Sequence, residues 1–340
     1  MTAWWRKSSG SSSEALTTGT PTTAAERPAA SPALRPGETP RDSMEKALRT
    51  LTAARANSLL ARADGLAASS DAPILLERLA SAEQFNIKPM PATVTRALRM
   101  TNDVNISMLE LTDVFESDAA LANEALRVAD SAFYRRPGAT LTSILDAAQR
   151  IGMSGLQNVL MGHLVASSLG RPGGHYDELA DAVHRHGTRT ASIARRLARI
   201  HEVDAETAYS LGLLHDVGKL VLFDAIGTLR TQHRRDVRIP APFLKAMLHE
   251  LHEPLGGLAA LRWGLPPSHA RAIARHHRNP QPEKHEPLIE LLYLSERADL
   301  AYLRRDPIDT ERWWREGALR GDRGAIEPLI ADAVNELDAG

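Results

Sequence analysis

The sequence predicts an all-α protein, a compact multi-helix bundle of two packed helical subdomains. Leu, Ala, Ile and Val recur at helical spacing from about Met44 onward. Alternating runs of β-branched or aromatic residues, which would indicate strands, are nearly absent. The chain has no repeat of fixed period, so a solenoid is disfavoured. We therefore expect short helices, joined by short links, around one substantial core.

Changes in composition divide the 340 residues into four parts. Residues 1–43 are rich in Ser, Thr, Ala, Pro and Gly and offer few large apolar side chains, so we expect a disordered tail. A linker helix is predicted for 44–71, the main domain for 72–302 and a C-terminal helical extension that packs back onto it for 303–340. Gly173 and Gly174 mark a hinge that separates subdomains 72–172 and 173–302.

Local signals place several helix ends within the first subdomain. A helix is expected from about Pro73 to Gln84. Ser107 and Glu110 form a capping-box pattern, and Asp118 is suited to cap the helix that follows it. Gly152 is a natural stop for the helix that precedes it, and another helix follows over about 155–168.

Charge and composition narrow the function classes. The formal net charge is −1 and the pI about 6.9, which argues against a dedicated nucleic-acid-binding protein. The basic run at Arg262, Arg271, Arg275 and Arg278 is explained by a solvated helix face. There is no cysteine and no apolar run long enough to span a bilayer. We expect a soluble, cytoplasmic protein without a membrane span.

The most informative segment for chemistry contains His215 and Asp216, which follow an apolar helix and precede Gly218 and Lys219. An imidazole nitrogen and a neighbouring carboxylate oxygen can reach one divalent ion, although the same pair can form a surface hydrogen bond. Further histidines occur in predicted helices, at His184, His186, His249, His252, His276 and His277. His184 and His186 lie about 200° apart around a helix, so at most one should be a ligand.

Two interpretations of these histidines remain open. Without cysteine, a set of histidines and carboxylates suits manganese, iron, zinc, nickel or cobalt, and the spacing does not choose among them. Such an ion would lower the pKa of water and polarise a phosphate ester, so hydrolysis is chemically feasible. Alternatively, the same residues form a buried hydrogen-bond network that holds the helices in register without metal.

Residues 72–302 resemble the HDOD domain, a divergent branch of the HD phosphohydrolase superfamily used in bacterial signalling. The resemblance depends on several motifs taken together. The front half carries IKPMPATVTRALRM, SDAALANEALRVADSAFY and ILDAAQRIGMSGL. The back half carries HRHGTRTASIARRLA, LGLLHDVGKLVL, HEPLGGLAALRWGLP and ARHHRNP.

The resemblance implies a metal-ligand set and one residue that would contact phosphate. His186 would be the first superfamily histidine, and His215 with Asp216 would be the doublet that names the superfamily. His252 falls in an H-x-x-x-G pattern, and Glu296 occupies roughly the place of the last aspartate, with Asp299 as the near alternative. His276 and His277 resemble the histidine pair of HD-GYP phosphodiesterases, and Lys219 would be a counter-charge to phosphate.

The sequence also departs from the catalytic relatives. It reads HHRNPQPEKHEP where cyclic di-GMP phosphodiesterases carry an HHE segment leading to Gly-Tyr-Pro, and a glutamate replaces the expected aspartate. Asp130 stands where HDOD domains typically have Asn. HDOD domains generally act as output or interaction modules, so we favour a regulatory protein that senses a ligand or binds another signalling protein. A nucleotide is a candidate ligand. The alternative is a metal-dependent phosphohydrolase acting on a nucleotide or cyclic dinucleotide.

Overall fold

The computed structural model describes residues 38–63, 70–81, 87–89, 106–131, 133–135, 141, 143–168, 176–278, 280 and 283–335. Within these ranges the regular elements are helices and no β-strand is present, which confirms the predicted all-α class. Most of the predicted tail, residues 1–37, lies outside the described residues, as do Gly173 and Gly174 of the predicted hinge. So does most of the motif that begins at Ile87.

The helices follow one another with short connections. They are α1 (Pro40–Ala61), α2 (Ala72–Ala80), α3 (Met108–Glu116), α4 (Ala119–Ala129), α5 (Ile144–Ser168), α6 (Asp177–Leu197), α7 (Ala205–Leu214), α8 (Val217–His233), α9 (Ala241–Arg262), α10 (Pro267–Ile273), α11 (Pro287–Arg304), α12 (Thr310–Arg315) and α13 (Arg323–Asn335). A 3₁₀ turn, Ala198–His201, continues α6.

Capping side chains fix the start of two helices. Helix α1 begins at Pro40, shortly before the boundary at residue 43 that was expected for the tail, because Thr39 and Asp42 form a capping box. The capping box predicted at α3 is confirmed, since the Ser107 hydroxyl accepts from the backbone N–H of Glu110 and the Glu110 carboxylate accepts from that of Ser107.

Three other predicted helix ends had mixed outcomes. Asp118 caps α4 as predicted, accepting hydrogen bonds from two backbone N–H groups. Gly152 interrupts α5 with φ 71° and ψ 178°, a conformation that only glycine adopts readily, but the chain resumes the helix at once. The helix predicted to reach Gln84 ends at Ala80, because Ser81 turns to an extended conformation.

The helices bury one large core and a smaller one. The large core joins α1 and α2 to α8 and α9, and α3 and α4 to α5. In the smaller core, the C-terminal helices pack against α6 and α11, through Trp313, Ile326, Ile330, Ile193, Leu197 and Leu294. Of the described helices, none combines the length and apolar character needed to cross a membrane.

Candidate metal centre

Seven side chains from five regions of the chain meet at the centre of the bundle. Helix α6 supplies His186, the junction of α7 and α8 supplies His215 and Asp216, and α9 supplies His252. The turn after α10 supplies His276 and His277, and helix α11 supplies Glu296. Their ligand atoms form three overlapping groups within 4.8 Å: Asp216, His252, His276 and His277; His186, His215 and Asp216; His215, His276 and Glu296. The structure thus brings together every metal-ligating residue proposed from the sequence, while metal binding itself stays a prediction.

Two glycines allow these helices to approach one another. A Cβ atom at Gly212 of α7 would lie 2.6 Å from the Cα atom of Ala191 on α6. At Gly218 of α8, a Cβ atom would lie 1.8 Å from the carbonyl oxygen of His252 on α9. Such distances are far below van der Waals contact, so only glycine permits this packing. The close contacts bring His215 and Asp216 beside the histidines of α6 and α9.

Asp216 is the hub of the cluster, because four histidine Nε2 atoms face its carboxylate. On one side, His186 and His215 place Nε2 at 3.7 and 3.6 Å from Oδ2. On the other side, His252 and His276 each place Nε2 at 3.7 Å from Oδ1. These distances are too long for direct hydrogen bonds, and each carboxylate oxygen therefore faces a pair of imidazole nitrogens across a small gap.

The opposite ring nitrogens explain why the Nε2 atoms carry lone pairs. The Nδ1 atoms of His215, His252 and His276 lie 2.7, 3.0 and 2.7 Å from the carbonyl oxygens three residues earlier. A carbonyl oxygen can only accept, so each Nδ1 donates and each neutral ring keeps an unprotonated Nε2. This is the tautomer that binds a metal ion through Nε2.

Burial keeps these imidazoles neutral. It lowers the pKa of His215, brings that of His276 to about 4, and holds the pKa of His252 well below its usual value. The neighbouring Lys219 and His277 lower the pKa of His252 further. At neutral pH the three rings are therefore uncharged ligands, ready to bind a cation without first losing a proton.

The two carboxylates remain ionised despite their burial. Burial acts to raise the pKa of Asp216, but Lys219, which contacts it at 2.5 Å, and the surrounding histidines hold the pKa well below its usual value. Burial likewise opposes ionisation of Glu296, whose pKa is held low by His277 at 3.1 Å. The pKa of His277 is raised because the effect of this carboxylate exceeds the effect of burial.

Asp299 supports His186 from behind. One Asp299 oxygen lies 2.5 Å from His186 Nδ1, and Arg189 holds the same carboxylate with contacts of 2.6 and 3.1 Å. Asp299, the alternative to Glu296 in the sequence, thus orients a histidine, whereas Glu296 joins the cluster. Arg189 was not among the residues predicted from the sequence. Its position three residues after His186 on the same helix face was the available signal.

The polar atoms of the cluster distinguish a metal site from a purely hydrogen-bonded network. Nε2 of His252, Nε2 of His276 and Oδ1 of Asp216 are buried and have no hydrogen-bond partner among the described residues. In addition, the Nε2 atoms of His186 and His215 face each other at 3.2 Å. A self-sufficient network would satisfy these atoms, because unsatisfied buried polar groups are costly. The residues fit a divalent cation bound by imidazole and carboxylate.

The cluster reaches the surface through His277 and Lys219. The side chain of His277 is 33% exposed and that of Lys219 is 13% exposed, whereas the other six side chains are at most 3% exposed. The backbone N–H of His277 donates to Glu253. Any molecule that approaches the centre from this side would meet His277 and Lys219 first.

Other histidines and arginines considered from the sequence lie elsewhere. His184 lines a separate cavity of about 210 Å³ between α4, α5, α6 and α7, so of the pair on α6 only His186 enters the cluster, as expected. Arg271 and Arg275 of the basic run both contact Glu286. This ion pairing agrees with a solvated helix face.

The fold and the site together define an all-helical bundle built around a buried centre of histidines and carboxylates. Within that class, the HDOD domain matches residues 87–279, and the chain belongs to the HDOD family. The match begins later and ends earlier than the 72–302 predicted for the domain. A search of curated proteins found no match to the chain.

Solved structures share this fold. A protein from Shewanella amazonensis SB2B, provisionally named a metal-dependent phosphohydrolase, is 19% identical with a TM-score of 0.60, covering 84% of this chain and 99% of its own. An HDOD domain protein of unknown function from Geobacter sulfurreducens is 20% identical with a TM-score of 0.52, covering 75% and 91%. A protein from Marinobacter aquaeolei VT8, provisionally named a signal transduction protein, is 25% identical with a TM-score of 0.53, covering 74% of this chain and 58% of its own.

Proposed function

We propose that this chain is a cytoplasmic regulatory protein whose HD centre binds a divalent metal ion as a structural and sensing element. The observation that supports this most directly is the set of three buried atoms without hydrogen-bond partners, on Asp216, His252 and His276. These atoms come from the start of α8, from α9 and from the turn after α10. An ion held among them would link these elements, and its binding energy would add to the stability of the domain.

A regulatory role agrees with the enclosure of the centre. The side chains around Asp216 are almost completely buried, which suits a tightly held ion better than an open site with room for a large substrate. The expected output is a change in the surface that another signalling protein contacts. Affinity capture that enriched no signalling protein under several growth conditions would contradict this part of the proposal.

The second candidate is a metal-dependent phosphohydrolase, favoured by Lys219 and His277 at the edge of the centre. A metal ion bound there would lower the pKa of a bound water molecule and would polarise a phosphate ester. Lys219, already paired with Asp216, would balance the charge of a bound phosphate, and His277 is the most exposed of the candidate ligands, on the side from which a phosphate ester would arrive.

One experiment separates the two candidates. Protein loaded separately with manganese, iron, zinc, nickel or cobalt is assayed on a panel of phosphomonoesters, nucleotides and cyclic dinucleotides, beside Asp216→Ala as the matched control. The regulatory proposal predicts metal uptake without hydrolysis above the control. Turnover that is abolished by Asp216→Ala would contradict it and establish the enzyme.

A further inference from the structure

A second concave site lies where three parts of the chain meet, away from the histidine cluster. It is formed by the loop after α4, the end of α6 with its 3₁₀ turn, and helix α13. Its volume is about 380 Å³, within the range of about 300–1,000 Å³ that is typical of small-molecule sites. The lining combines one aromatic ring, three arginines and one aspartate: Phe133, Arg195, Arg196, Arg199 and Asp332.

Arg195 gives this cleft a buried cationic floor. Its side chain is 6% exposed, and one terminal nitrogen donates to Glu206 at 2.8 Å. The guanidinium lies over the rings of Phe133, Tyr134 and Tyr209, at 4.6, 5.0 and 3.8 Å from their centroids. Its Nε is buried and has no hydrogen-bond partner in the described part of the chain. One donor of this buried charged group, which belongs to a residue that lines the cleft, is therefore unsatisfied.

The remaining charges make the cleft attractive to an anion. Burial and the neighbouring charge of Arg195 lower the pKa of Arg196, although Asp332 partly offsets them. Arg199 is exposed and lines the same cleft. Basic residues are favourable near a helix C-terminus, which explains why they end α6. The preference for a helix C-terminus does not explain why these arginines share a concave site with the partly exposed Phe133. A bound anion would relieve the repulsion between the arginines.

We propose that this cleft binds a nucleotide, with the arginines holding the phosphate and Phe133 packing against the base. Planar guanidinium groups match phosphate oxygens in pairs. Phe133 is 43% exposed although Arg195 lies over its ring, so a base would pack on the exposed part of the ring. The Asp332 carboxylate would accept a hydrogen bond from a ribose hydroxyl or a base amino group. Occupancy would connect the N-terminal helices, α6 and the C-terminal extension.

This inference goes beyond the proposed function, because none of the residues that form the metal centre lines the cleft. The two sites nevertheless share helix α6, which carries His186 in the centre and Arg195 and Arg196 in the cleft. A nucleotide that favours one position of α6 would therefore shift the geometry of both sites together.

Isothermal titration calorimetry of the full chain with AMP, GMP, cyclic di-GMP and inorganic phosphate tests the proposal. We expect at least one nucleotide to bind more tightly than phosphate, and Arg199→Ala to weaken it about tenfold or more. Arg185→Ala is the matched control, since Arg185 is exposed on α6 outside the cleft and should leave binding unchanged. Phe133→Ala should weaken nucleotide binding while phosphate binding stays the same.

A variant of the metal centre distinguishes nucleotide binding at the cleft from nucleotide binding at the metal centre. A His215→Ala/Asp216→Ala variant should still bind the nucleotide at the cleft. Nucleotide binding that disappears in that variant and is insensitive to Arg199→Ala would place the nucleotide at the metal centre and overturn the proposal. It would also be overturned if no nucleotide bound, or if phosphate bound as tightly as the nucleotides. The metal content of the protein is measured separately, so failure of the nucleotide proposal would leave the proposed metal centre untouched.

Discussion

Gly218 is a point of very close contact between α8 and α9, and its replacement by alanine tests whether that contact builds the centre. The new Cβ atom would lie 1.8 Å from the carbonyl oxygen of His252 and 2.6 Å from the backbone nitrogen of Gly256. Since ordinary contact begins near 3.4 Å, the two helices would have to separate by roughly 1.5 Å. His252 faces Asp216 at 3.7 Å, so the separation moves a ligand away from the hub.

The energetic effect can be bounded from these contacts. Overpacking a core costs about 1–3 kcal/mol, and here the obstructing atoms are backbone atoms that cannot rotate away. The cost should therefore lie at the upper end of that range, about 3 kcal/mol, and since alanine regains about 1 kcal/mol in helix propensity over glycine, we expect a net loss of about 2 kcal/mol. Metal sites tolerate deviations of about 0.2 Å, so metal affinity should fall by about tenfold or more. Urea unfolding followed by circular dichroism and a chelator-competition titration measure the two quantities.

Gly162→Ala is the matched control for this experiment. A Cβ atom at Gly162 of α5 would have its nearest contact, with Leu213, at an ordinary 3.7 Å. We expect that variant to stay within about 1 kcal/mol of the wild type, with unchanged metal affinity. If Gly218→Ala matched the wild type in both the free energy of unfolding and the metal affinity, close packing at glycine would not be what builds the centre.

Three further predictions concern single side chains. Asp299→Asn should weaken metal binding about 10–100-fold in a chelator competition, because His186 loses its orienting carboxylate. Unchanged metal affinity would show that Asp299 does not orient His186 for metal binding. Glu290, although buried, has its pKa lowered to about 2 by hydrogen bonds from neighbouring histidines and a backbone N–H. Its ionised form therefore stabilises the fold above about pH 4.5, and about 2 kcal/mol of this stabilisation is lost by pH 3. Urea unfolding at a series of pH values should show this loss in the wild type and not in Glu290→Gln. Equal dependence of the free energy of unfolding on pH in the two proteins would contradict the prediction. Tyr134→Phe removes a hydroxyl that donates to Glu206, and should lower the free energy of unfolding by about 1–2 kcal/mol; a variant as stable as the wild type would show that this bond contributes nothing.

Features that depend on neighbouring residues in the chain were predictable from the sequence. The capping box of Ser107 and Glu110, the cap at Asp118 and the break at Gly152 each involve residues within about one helical turn. The candidate ligands could also be named, because the motifs of the family resemblance fix their positions in the chain. Helical periodicity was sufficient for the fold class.

Features that depend on distant segments were not predictable. Nothing local indicates that Gly218 lies against the His252 carbonyl, or that Asp299 reaches His186 and Arg189 from another helix. The basic cleft likewise exists only because α13 packs beside the end of α6, which places Asp332 near its arginines. Such contacts follow from how helices cross, and several crossings are compatible with one pattern of apolar residues.

Elemental analysis of purified, untagged protein tests whether the cluster around Asp216 is a metal centre. The wild type is compared with the His215→Ala/Asp216→Ala variant after circular dichroism shows equal helical content. We expect near-stoichiometric divalent metal in the wild type and its loss in the variant. A wild-type protein that is fully folded and free of metal, and that takes up none when supplied with manganese, iron, zinc, nickel or cobalt, would contradict it.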